Sequence, residues 1–189
     1  MKILVVFDHP RRDSLCGAIL DRFLAGLTEA GHTAELADLR REDFDPRMPV
    51  EDEPDWNDDN KVYGASVLAE QARIARNEAL AFVFPVWWWS FPATTKGWID
   101  RVWNNGWAYG ARKLPHKKAL LIGVCAGSAE QFAKRGYDTS IRTQLVTGTM
   151  EYCGIKDSVL HLFYESTDSD EVRARHLETA YTLGKGYAA

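Results

Sequence analysis

The chain has 189 residues, 46% hydrophobic and 26% charged, with a net charge of −4. That length suits one domain over 1–189, since ~100–200 residues is usual, and it suffices for a substantial core. The acidic balance argues against a nucleic-acid groove or a basic membrane face, and no apolar run approaches the ~18 residues of a membrane span.

The N-terminal MKILVVFDHP is interrupted too early, by Asp8 and His9, to read as a signal peptide. Residues 2–8, KILVVFD, are β-branched and apolar, the pattern of a strand buried on both faces. Apolar positions at Leu15, Ile19, Phe23 and Leu27 then mark one stripe of a helix over 14–30, with Asp13 or Ser14 as its N-cap. A short strand follows at 33–38. Residues 41–60 are acidic, rich in proline and without periodicity; such a stretch is a solvated surface excursion, or else a flap over a site or a subunit contact. A helix is expected over 60–77 and a buried strand over 80–86, ended by Pro85. The next helix carries Pro92 in its first turn, where the missing N–H costs nothing, and an inward stripe of Ile99, Val102 and Trp103. A fourth strand at 118–126, a helix at 137–153, a fifth strand at 155–164 and a closing helix at 168–185 complete the chain.

Five strands alternating with five helices make an α/β protein with a parallel sheet covered on both faces. Right-handed crossovers leave few topologies, and the flavodoxin-like order 2-1-3-4-5 is among the commonest. Ligands of such sheets bind beyond the carboxyl ends of the strands, where the strand order reverses. That rule selects residues 8–16, 85–91 and 124–132.

In the first segment, free N–H groups at Ser14, Leu15 and Cys16 open a helix and attract phosphate, with His9 as a further donor. Ser14 reads equally as a plain N-cap, and His9 as a strand-end histidine bonded to a backbone carbonyl. Neither G-x-G-x-x-G nor G-x-x-x-x-G-K-[ST] occurs there, which speaks against a dinucleotide fingerprint and an NTPase. The second segment, PVWWWSF, cannot bury Trp87, Trp88 and Trp89 in one direction, so some face a flat ligand, a cavity or a second subunit. The third, VCAGS, is small enough for a ligand to approach its backbone, or is a simple tight turn.

The five histidines are scattered without a zinc pattern, and no G-x-S-x-G elbow is present, so no metal is expected. Cys16, Cys125 and Cys153 are odd in number and widely spaced, which fits unpaired thiols and a cytoplasmic protein; Cys16 and Cys125 read as small packing groups or as nucleophiles, and Cys125 is a catalytic candidate.

Three stretches carry a family resemblance. These are P-x-x-W-W-S-F-P-A-x-x-K-G-W-I-D-R-V at 85–102 with G-W-A-Y-G at 106–110, H-P-x-x-x-S at 9–14, and Y-C-G at 152–154. Through them nearly the whole chain resembles the flavodoxin-like NAD(P)H:quinone oxidoreductase family, which includes the DT-diaphorase type, modulator of drug activity B, and ancillary subunits of potassium-efflux transporters. The resemblance implies non-covalent FAD or FMN, NAD(P)H as co-substrate and a quinone or other small planar acceptor, with the two substrates sharing one slot in ping-pong order. By motif, His9, Ser14, Leu15 and Cys16 would hold the flavin phosphates. Pro85, Val86, Trp87, Trp88 and Trp89 would line the isoalloxazine. Val124, Cys125, Ala126 and Gly127 would lie beside its pyrimidine edge, where the N–H groups of the last three would steady charge on the reduced ring. Trp107 and Tyr109 would close the substrate pocket from the neighbouring subunit of a homodimer. Against the family pattern, Cys16 replaces an asparagine, V-C-A-G replaces T-T-G-G, and Phe132 and Asp138 stand where a tyrosine and a histidine are usual. The alternative is a flavin-binding regulatory subunit with a transporter partner.

Overall fold

In the computed structural model, which describes residues 1–187, five parallel strands form one sheet of order 2-1-3-4-5. They are β1 (Lys2–Phe7), β2 (Thr33–Asp38), β3 (Ala79–Pro85), β4 (Lys118–Val124) and β5 (Asp157–Phe163). Consecutive residues of β1 point to opposite cores. Ile3, Val5 and Phe7 join Ile19, Phe23 and Leu27 of α1 (Leu15–Glu29) in one, together with Ala180 of α6 (Asp170–Lys185). Leu4 and Val6 join Phe82, Trp98, Val102 and Trp103 in the other. A strand buried on both faces cannot alternate apolar with polar, which is why KILVVF and ALAFVFP read as unbroken apolar runs.

The helices follow the expected order with four differences. The helix expected over 60–77 is the shorter α2 (Ala65–Ala75). Pro92 is the N-cap of α3 (Ala93–Val102), one position before the first turn. An extra helix, α4 (Ala129–Arg135), is capped by Ser128 Oγ, which accepts from Gln131 N, and is ended by Gly136 at φ 70°. Its sequence buries only Phe132, so it shows no apolar stripe. The helix expected over 137–153 begins as α5 (Tyr137–Ile141) and widens into a π-helical segment, Arg142–Glu151. There the Thr149 hydroxyl donates to the Gln144 carbonyl five residues back, at 2.9 Å. Among the described residues, no helix is long and apolar enough to cross a membrane.

Residues 41–60 are a surface excursion, largely exposed but tied down by polar side chains beneath it. Arg101 of α3 places Nε and Nη2 3.1 and 2.7 Å from Asp52 Oδ2 and also donates to the Asp45 carbonyl. Both partners are buried, and Asp52 Oδ1 accepts from Gly64 N at 3.2 Å. Asn105 Nδ2 donates to the Asp55 carbonyl and to Asp59 Oδ1. The excursion lies so close to α3 that a Cβ at Gly97 would sit 2.3 Å from the Pro46 carbonyl oxygen. Hydrogen bonds replace periodic packing here, so the sequence carries no repeat to read.

Candidate functional site

The loops after β1, β3 and β4 meet at one edge of the sheet. His9 and Trp87 put their rings 6.2 Å apart, linking the first loop to the second. Val86, Trp88 and Trp89 share a cleft of about 260 Å³ with Cys125, Ala126 and Gly127, linking the second to the third.

The first loop ends at the α1 N-terminus. Ser14 is its N-cap and its Oγ accepts from Gly17 N at 3.2 Å, which decides between Asp13 and Ser14. Leu15 and Cys16 are the next two residues, whose N–H groups have no partner within a helix, and they lie at the positive end of its dipole. His9 Nδ1 engages the Arg11 backbone, 3.0 Å from its N and 2.8 Å from its O, while Nε2 has no described protein partner. Behind the loop, Asp8 is 2% exposed, and its Oδ2 accepts from Thr95 N at 2.9 Å and from Thr95 Oγ1 at 3.0 Å. The carboxylate thereby satisfies the first turn of α3 from the end of β1. Burial lifts its pKa despite these bonds and the nearby Arg40 and His9.

The second loop is a tight turn. Ser90 N donates to the Trp87 carbonyl at 3.2 Å, and the two central residues, Trp88 and Trp89, have φ of 50° and 56°. A turn with both central residues left-handed normally uses asparagine and glycine. Two tryptophans there store backbone strain, which is found where the surrounding structure imposes it for a purpose. Trp88 is 86% exposed and Trp87 46%. Trp89 is half-buried and lies against Tyr137, ring centroids 4.0 Å apart and planes at 33°. Below the turn, Pro85 closes β3, and Val86 N donates to the Val124 carbonyl at 2.9 Å, locking the second loop to the third.

The third loop corrects one expectation. Cys125 N donates to the Phe163 carbonyl at 2.7 Å, so it belongs to the β4–β5 ladder and cannot also hold a ligand. The N–H groups of Ala126 and Gly127 make no backbone bond to the described residues and remain available. The Cys125 thiol is buried and pushed up to about 12 by desolvation, which removes it as a thiolate at neutral pH. Cys16 and Cys153 are likewise buried, unpaired and raised by desolvation.

Trp107 and Tyr109 are not brought to this cleft within one chain. Both are half-buried and pack on the core. Tyr109 faces a second, apolar cavity of about 380 Å³ between α3 and the π-helical segment, with Met48 and Pro54 of the excursion on its rim. Two of its lining rings continue a row that starts outside it, Trp56 to Tyr109 at 5.8 Å and Tyr109 to Tyr152 at 5.9 Å. Trp56 and Tyr152 are 71% and 57% exposed.

Sequence reasoning reached Gln131 only as part of the 124–132 segment, and missed Arg135 and Tyr137, which line the cleft with it from α4 and the start of α5, and Trp56 of the excursion. Only Tyr152 had a signal, in the Y-C-G motif.

Comparison with known proteins places this geometry. A family model described as flavodoxin-like fold matches residues 1–183. The chain is 36% identical over 181 residues to an uncharacterized NAD(P)H oxidoreductase of Escherichia coli, covering 94% of this chain and 92% of that protein. It is 30% identical over 179 residues to the ribosyldihydronicotinamide dehydrogenase (quinone) of Rattus norvegicus, covering 82% and 78%. Among solved structures, the NAD(P)H:quinone oxidoreductase from Methanothermobacter marburgensis superimposes with a TM-score of 0.95 at 30% identity, over 100% of this chain and 98% of that one. The chain belongs to the flavodoxin-like family.

Proposed function

We propose that the chain is a flavin-dependent oxidoreductase that passes electrons from NAD(P)H to a quinone or a similarly flat acceptor. The observation that carries this reading is the Trp87–Ser90 turn. Its strained backbone presents indoles beside the free N–H groups of Ala126 and Gly127 at the switch point of the sheet. Relatives named for NAD(P)H and quinone chemistry support it.

The residues fit FAD or FMN. Val86, Trp87, Trp88 and Trp89 offer a stacking wall for an isoalloxazine. Ala126 and Gly127 N–H would meet its polar edge, and Pro85 and Val124 fix the two loops as the ends of their strands. The α1 N-terminus, with Ser14, Leu15, Cys16 and His9 Nε2, suits phosphate. When bound, the flavin supplies the two-electron chemistry; the protein orients the partners and excludes water. Cys125 serves as packing, not as a catalytic thiol.

A flavin laid against this wall would leave one face open, which the nicotinamide and the acceptor would occupy in turn. In a homodimer the row of Trp56, Tyr109 and Tyr152 would roof the slot of the neighbouring chain, with Trp107 packed behind Tyr109. This gives Tyr109 its place in substrate binding.

Steady-state oxidation of NADH and NADPH with menadione tests the reading, together with chromatography of any flavin released on denaturation and light scattering for the dimer. Parallel double-reciprocal lines, bound flavin and a dimer are expected. Protein that neither retains nor takes up flavin, or lines that intersect, would contradict it.

A further inference from the structure

Ten residues line the cleft between the tryptophan turn and α4, and Arg135 is the one charged side chain among them. It forms no ion pair with the described residues. Gln131 lies one helical turn earlier on the same face of α4, and Tyr137 is held against Trp89. An amide, a guanidinium and a hydroxyl thus share a cleft whose other walls are indole, Phe132 and small residues. Asp138 is the nearest acid in sequence; its Oδ1 accepts from Thr139 N at 2.8 Å, and it does not line the cleft.

This cation is separate from the phosphate end of the site. The arginine near the α1 N-terminus, Arg12, is already committed to Asp21 and to the Gly17 carbonyl. Arg135 instead stands exposed on the rim of the cleft that Trp88 and Trp89 line. The phosphates of a dinucleotide lie away from the ring that stacks, and the substituent on a nicotinamide ring is a neutral amide. The polar edge of an isoalloxazine already has the free N–H groups of Ala126 and Gly127 in this cleft, so the exposed guanidinium is left to meet a substituent carried on the acceptor ring itself. Since the chain as a whole carries −4, attraction for an anion here arises at short range from this residue.

We infer that Arg135 makes the slot selective for flat aromatic acceptors bearing an anionic group, such as a carboxylate or sulfonate. The inference rests on the flavin-oxidoreductase reading of the same cleft. A charge-assisted contact at this exposed rim should favour the anionic acceptor up to about fivefold.

The holoprotein is assayed with menadione and with naphthoquinone sulfonate, as wild type, Arg135→Met and Arg135→Lys. The ratio of kcat/KM for sulfonate over menadione should fall up to about fivefold in Arg135→Met and recover in Arg135→Lys. Rising salt should lower that ratio in wild type and leave it flat in Arg135→Met. An unchanged ratio overturns the proposal. A change in the NADPH over NADH ratio instead assigns Arg135 to the donor, and a drop in the midpoint potential of bound flavin assigns it to the cofactor; either result overturns the proposal too. Tryptophan fluorescence titrated with naphthalene sulfonate and with naphthalene reads the same contact without turnover. If the protein proves to hold no flavin, the proposed function fails while this titration still tests the anion contact. If flavin turnover is intact and neither ratio nor titration moves, only the anion selectivity fails.

Discussion

Trp98 and Trp88 stand ten residues apart, and their surroundings share nothing. Trp98 is fully buried under the sheet, edge-on to Phe82 and Trp103, with Nε1 donating to Glu70 Oε2 at 2.9 Å. Trp88 is 86% exposed on a left-handed backbone with no core contact. The first holds the fold together, and the second is held by it. A dense aromatic stretch is therefore two devices in series, a ligand wall and then a core helix, divided at Pro92.

The comparison predicts opposite phenotypes. Trp98→Ala should lose about 3–5 kcal/mol, the usual cost of deleting a large core aromatic, by thermal or urea unfolding. A loss below about 1 kcal/mol would mean that the two tryptophans are not so different. Asp52→Ala sharpens the contrast on the solvent side of α3. It leaves the Arg101 guanidinium buried without its carboxylate, a change worth about 3 kcal/mol, and should free the 41–60 excursion to proteolysis. Equal protease resistance of variant and wild type would show that packing, not the ion pair, holds the excursion.

Trp89→Ala, which removes a half-buried ring from Tyr137, should cost less stability than Trp98→Ala and weaken flavin binding about tenfold or more, the scale of one aromatic stacking contact. Trp88→Gly separates the two phenotypes further. It should stabilise the chain by up to about 1 kcal/mol by relieving the left-handed strain, while still lowering flavin affinity. A destabilised Gly variant would argue that the turn is not strained.

The smallest effect concerns Asp8. Burial raises its pKa, so its charged form is disfavoured in the folded chain. Its favourable contribution is complete below the ordinary carboxylate range and is lost as pH rises through the folded value. Asp8→Asn keeps an acceptor for Thr95. Relative to it, the wild type should therefore lose stability across that interval and run parallel at higher pH. Parallel curves at every pH would remove the buried charge from the account.

The sheet was legible because β1 and β3 are buried on both faces and so read as unbroken apolar runs. The first loop was legible because a serine before a periodic apolar stripe is a cap signal. The excursion was not, because Arg101 and Asp52 lie 49 residues apart and neither marks the other in sequence. α4 was hidden by its single buried side chain, and with it went Arg135. The role given to Cys125 N–H failed because Cys125, already inside the strand expected over 118–126, spends its N–H on the ladder bond to Phe163. The left-handed Trp88 and Trp89 run against residue preference, which is why the loop was recognised from its composition and not from its turn type.

The most direct test of the central claim is to titrate flavin-free protein with FMN and with FAD while following tryptophan fluorescence, in wild type and Trp89→Ala. Saturable quenching at one flavin per chain, weakened by Trp89→Ala, is the predicted result. Absence of saturable quenching by either flavin in folded wild-type protein would contradict the account.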